Sequence, residues 1–147
     1  MAALLRSVRW LMRASTLAEA KSVTKDFSPI FATLKRVMAT QRPRLKVKTN
    51  SANAYELLTK SPSPYPQHKG QPMWFGAVKI GKAYVSYHLM PLYMNAPLTK
   101  TISPPLRKHM QGKSCFNFKI PPAPEALDEL RRLTSAAADH WAREGLI

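Results

Sequence analysis

Carboxylates are what this sequence has least of: 8 Asp and Glu stand against 23 Lys and Arg, and between Phe27 and Pro124 the only acid is Glu56. Paired-carboxylate acid–base chemistry and hard-cation sites, both of which need clustered carboxylate oxygens, are therefore disfavoured in that stretch. A single cysteine, Cys115, can form neither an internal disulfide nor a zinc site alone. Glycine is scarce, with Gly70, Gly76, Gly81 and Gly112 isolated from one another, so no phosphate-cradling loop is present. No apolar run approaches the roughly 18 to 20 residues that span a bilayer, since Arg6, Arg9 and Arg13 interrupt the first one.

What is present is positive charge, formally +15 over 147 residues, and it is segregated. The acids return only in the last segment, as Glu125, Asp128, Glu129, Asp139 and Glu144. Such a body attracts polyanions, acidic proteins or small anions at long range. Residues 1–22 read as a basic leader set apart from a single α+β domain over 23–147. An upstream extension of the gene start is the favoured account of that leader, and organellar targeting is the alternative. The expected compartment is cytoplasmic, with targeting by the leader as the exception.

Periodicity places the elements. Ser28-Pro29 reads as a serine cap with proline at the first helical position, followed by Phe31, Leu34 and Met38 at helical spacing to about Thr40. Leu45 to Thr49 alternates as a strand with a basic outer face, and Tyr55 to Lys60 is a second. Ser61 to Pro72 holds four prolines and is expected to be an ordered surface loop. Met73 to Met90 reads as a hairpin at the centre of the sheet, turning at Gly81-Lys82 with glycine supplying a positive φ. On its second arm Tyr84, Ser86, His88 and Met90 share one face, and Val85, Tyr87 and Leu89 the other.

Pro91 to Leu98 reads as apolar but irregular. Ser103-Pro104-Pro105 starts a short helix that Gly112 closes in the left-handed C-cap role, and Ser114 to Ile120 is a fifth strand with Phe116 and Phe118 on its core side. The last helix starts at Pro124, carries an apolar stripe from Leu127 to Trp141 and stops at Gly145. The expected fold is an antiparallel sheet of about five strands with N- and C-terminal helices packed on it, plus one short helix.

Three blocks carry a family resemblance: Thr59-Lys60-Ser61-Pro62-Ser63-Pro64, the run Gly81 to Tyr93, and the run Gln111 to Lys119. Together they resemble the YdhG-like family, a domain of unknown function, over roughly Lys25 to Trp141. The resemblance implies a compact α+β domain with helices on an antiparallel sheet. An iron-chaperone or frataxin-like role, given to some members, would need clustered carboxylates, and Glu56 is alone.

Chemistry-bearing residues are few. His68, His88, His109 and His140 fall on different elements, and a histidine satisfied on the sheet is the favoured reading of His88 over ligand contact. Lys113 and Lys119 near Cys115 would favour a thiolate if the sulfur were exposed, yet strand cysteines are generally buried and inert. Lys46, Lys48, Lys79, Lys82, Lys113 and Lys119 lie in or beside strands that also carry Trp74, Tyr84, Tyr87 and Phe116. Lysines with rings are what a single-stranded nucleic-acid platform uses, although a core of rings beneath a solvated lysine face is the simpler account.

The sequence thus points to a non-enzymatic domain binding a small or anionic ligand, with no cofactor, metal or membrane span. Its candidate contacts are Lys82, Tyr84, His88, Tyr93 and Lys113. The alternatives are a basic module in weak, non-specific contact with nucleic acid, or an enzyme with a site around Tyr84, His88, Tyr93 and Lys113.

Overall fold

The structure, a computed structural model, describes residues 26–147; the leader expected over residues 1–22 lies outside them. Helix α1 (Ser28–Ala39) is followed by strands β1 (Lys46–Asn50), β2 (Ala54–Pro62), β3 (Pro72–Ile80) and β4 (Val85–Leu89). Three short helices come next: α2 (Pro91–Met94), α3 (Ala96–Lys100) and α4 (Pro104–Arg107). Strands β5 (Met110–Gln111) and β6 (Cys115–Phe118) and the long helix α5 (Pro124–Arg143) complete the order. The six strands form one antiparallel sheet in the order β1-β2-β3-β4-β6-β5, with β3 and β4 at its centre.

Both long helices lie on one face. Strand alternation sends Tyr55, Leu57, Val78, Val85, Tyr87, Leu89, Phe116 and Phe118 into a single core cluster with Phe31, Leu34 and Met38 of α1 and Leu130, Ala137 and Trp141 of α5. Trp141 meets the edge of Phe75 at 5.6 Å between ring centroids. The buried Tyr87 hydroxyl is matched to Thr134 Oγ1 at 2.7 Å, so the core's polar group has a partner. Helix α5 ends in paired turn bonds, Leu146 N–H to Trp141 O and Gly145 N–H to Ala142 O, which need the positive φ of Gly145.

Several local expectations are corrected. Helix α1 does begin at Ser28-Pro29, but the serine hydroxyl is not its cap: the Ser28 N–H is taken by Asp26 Oδ1 at 3.0 Å. Pro91 to Lys100 is helical in two short pieces, with the Asn95 side chain accepting from Leu98 N–H between them. The helix after Ser103 stops at Arg107, because Met110 and Gln111 find strand partners in Phe116 and Cys115. Gly112 does adopt a positive φ, in the β5–β6 turn instead of at a helix end. Gly81 does not; its N–H reaches Tyr84 O at 2.8 Å, so the turn is wider than the two-residue hairpin expected.

The proline segment is shorter than expected because β2 runs on to Pro62, which stands opposite Pro72 at the end of the ladder. Glu129, in the second turn of α5, ties two helices together. Its carboxylate accepts both the Ser103 N–H at 3.0 Å and the Ser103 hydroxyl at 2.6 Å, fastening α4 to α5.

Candidate functional site on the sheet face opposite the two long helices

The second face of the sheet has no helical layer among the described residues, and cross-strand register decides what it shows. Ala77 stands opposite His88 and His88 opposite Cys115; one step along, Lys79, Ser86 and Asn117 stand in a row. Residues paired in this way share a face. Between β2 and β3 the register slips from Leu57 to Leu58, whose partners are Gly76 and Trp74, so that Phe75 is the extra residue in β3. Phe75 and Gly76 are both buried as a result, and Trp74 returns to the outer face beside His88, at 5.5 Å between ring centroids.

Two hollows open there. The polar one, of about 310 Å³, is lined by Tyr84, Ser86, His88, Gln111, Cys115 and Asn117. Its groups are linked: Cys115 Sγ lies 3.4 Å from both His88 Nε2 and Asn117 Oδ1, and Asn117 Nδ2 donates to Gln111 Oε1. One thiol hydrogen can serve only one acceptor. With S–H directed at the Asn117 oxygen, the imidazole Nε2–H becomes the donor to sulfur.

The apolar hollow, of about 360 Å³, lies between the turn at Pro66–His68 and α2. Tyr65, Trp74, Met90, Tyr93 and Met94 are among its walls. Tyr93 and Met94 are 61% and 50% exposed, unusual for large apolar side chains that have a core to join. The Lys113 ammonium sits 5.5 Å from the Tyr93 ring centroid, within cation–π range. Trp74 Nε1 is shut off from solvent and has no acceptor among the described residues, an arrangement that costs about 1 to 3 kcal/mol.

Electrostatics set what this surface can do. Burial pushes the Cys115 thiol above its ordinary pKa, so it is a protonated thiol at neutral pH and not a thiolate nucleophile. Burial, and secondarily the charge of Lys79, holds His88 below the usual histidine range, which keeps the imidazole neutral. Glu56 is engaged by Thr49 Oγ1 at 2.7 Å and Lys79 Nζ at 3.2 Å. The Thr49 hydrogen bond is the main cause that lowers its pKa. Among the described residues no three His, Cys, Asp or Glu side chains gather as metal ligands. The arrangement is a neutral hydrogen-bonding array with lysines at its borders.

The five residues singled out from sequence divide between the hollows. Tyr84 and His88 line the polar one; Tyr93 lines the apolar one, where Lys113 reaches its ring. Lys82 is exposed in the β3–β4 turn and lines neither. Sequence reasoning missed Asn117 and Gln111 as neighbours of His88 and Cys115 in the polar hollow, although the alternation of Cys115 and Asn117 against Phe116 and Phe118 was the available signal. Of the rings grouped with the strand lysines, Tyr87 and Phe116 are core, whereas Trp74 and Tyr84 face outward.

His88 and His109 give the fold a pH dependence. Burial is the first cause of the lowered pKa in both. As pH falls, the unfolded chain takes up protons near its ordinary 6.5 before the folded chain does, and stability drops from there until the folded values are passed. The urea midpoint is expected to be flat above about pH 7 and to fall as the pH drops below about 6.5. His88→Gln with His109→Gln should flatten that decline; an unchanged slope would locate the titration elsewhere.

No family model matches the chain, and no curated protein or solved structure matches it either.

Proposed function

We propose that this is a non-enzymatic domain that binds a small anionic ligand on the face of its sheet opposite α1 and α5, and that it belongs to the YdhG-like family on the strength of the three sequence blocks. The carrying observation is the convergence of Tyr84, Ser86, His88, Gln111, Cys115 and Asn117 on one hollow. Those side chains offer hydrogen-bond donors without a carboxylate among them. The nearest acid across the strands, Glu56, is already neutralised by Lys79. A protonated thiol and a neutral imidazole support binding over covalent chemistry.

Inorganic pyrophosphate is a suitable probe. At ten times its dissociation constant a ligand adds about 1.4 kcal/mol, or roughly 4 °C in Tm for a domain of this size. Ser86→Ala with Asn117→Ala, both in the lining of the hollow, is expected to weaken binding about tenfold, measured by calorimetry. Equal affinity in variant and parent would remove the polar hollow from the account.

A second reading has its own observation. Lys46 and Lys48 are exposed on β1 and continue the charge of Lys79 across the sheet towards Trp74 and Tyr84. This pattern supports weak single-stranded nucleic-acid binding. Fluorescence anisotropy with single-stranded RNA at about 50 mM salt should then show affinity that falls steeply as salt rises; no binding there counts against it.

A further inference from the structure

Two neighbouring hollows that differ in chemistry can hold two ends of one molecule. His88 lines the polar hollow, Trp74 lines the apolar one, and their rings lie 5.5 Å apart. The walls of the apolar hollow are rings and methionine side chains, which offer flat π surfaces and polarisable thioethers. Lys113 supplies a cation above the Tyr93 ring, at the border of that hollow. Trp74 contributes an N–H with no acceptor of its own among the described residues.

We infer that the ligand class of this face is a planar aromatic ring bearing an anionic group, the ring held between Tyr65, Trp74 and Tyr93 and the anion turned towards Lys113 and the polar hollow. The inference rests on the anion-binding reading above and narrows it. Apolar contact supplies affinity, and the borders supply orientation, which is the usual division in small-molecule sites. Flexible Met90 and Met94 can shift to admit the ring.

The test uses the full chain with ¹³C-methyl methionine and naphthalene-2-carboxylate as probe. Its ring should move the methyl resonances of Met90 and Met94 while leaving that of Met38, fully buried in the core, in place. Cyclohexanecarboxylate, with the charge and no π face, should bind about tenfold more weakly. Tyr93 is largely exposed, so Tyr93→Ala should fold normally and weaken the naphthoate about tenfold. Lys113→Ala should weaken the naphthoate several-fold and leave naphthalene-2-methanol unaffected.

Unmoved Met90 and Met94 resonances overturn the inference, and intact pyrophosphate binding in the same sample shows that the anion reading survives it. Methionine shifts that are indifferent to Lys113→Ala, in a protein that ignores pyrophosphate, overturn the anionic half of both.

Discussion

Trp141→Ala is expected to destabilise the domain by about 3 to 5 kcal/mol, the usual cost of emptying an aromatic site in a packed core. The side chain is 1% exposed and is among the largest that are fully buried. It is also where α5 meets the sheet, through its edge contact with Phe75. Small domains hold only about 5 to 15 kcal/mol in total, so this one substitution should lower Tm by roughly 10 to 20 °C. Urea denaturation followed by circular dichroism checks it: the midpoint should fall with little change in slope. A loss below about 1 kcal/mol would mean that α5 is not clamped to the sheet through this ring.

Gly76→Ala is expected to cost about 2 to 4 kcal/mol by the opposite route, overfilling. An added Cβ would lie 2.6 Å from the carbonyl oxygen of His88 and 2.8 Å from Met38 Cε. The methionine tip can turn away. The carbonyl cannot, because it belongs to the backbone of β4, where Gly76 stands opposite Leu89. Relief therefore has to come from moving β3 and β4 apart, which displaces His88 on the far side of the sheet. The two core substitutions should consequently differ in function. Under folding conditions Gly76→Ala should weaken ligand binding as well as stability, whereas Trp141→Ala should affect stability alone.

The two layers were legible from sequence for different reasons. Helices α1 and α5 announce themselves by apolar stripes and prolines at their starts, and the alternation of β4 and β6 separates Tyr87 and Phe116 from His88 and Cys115 correctly. What periodicity cannot convey is register. The slip that turns Trp74 outward and buries Gly76 arises from pairing between β2 and β3, and nothing local to either strand specifies it. Strand β5 is two residues long and exists because Cys115 and Phe116 offer it partners, so the same residues read alone as the end of a helix. Gly112 had the right backbone conformation for the wrong element.

The site was legible in proportion. Tyr84 and His88 share a strand face that the sequence displays, and the structure places them in one hollow. Their neighbours Gln111, Cys115 and Asn117 come from strands distant in sequence and are brought there only by the β4–β6–β5 order. Lys113 and Tyr93 meet because the β5–β6 turn reaches towards α2, a long-range contact with no pattern in the chain.

The claim that function resides on the sheet face opposite α1 and α5 is tested most directly by mapping amide chemical-shift changes during titration with pyrophosphate. The account predicts that the largest shifts fall at Tyr84, Ser86 and His88 and at Cys115 and Asn117, with α1 and α5 unaffected. Shifts concentrated instead on the helical side, around Ile102, Arg132 and Ala136 where α5 borders another hollow, would contradict it.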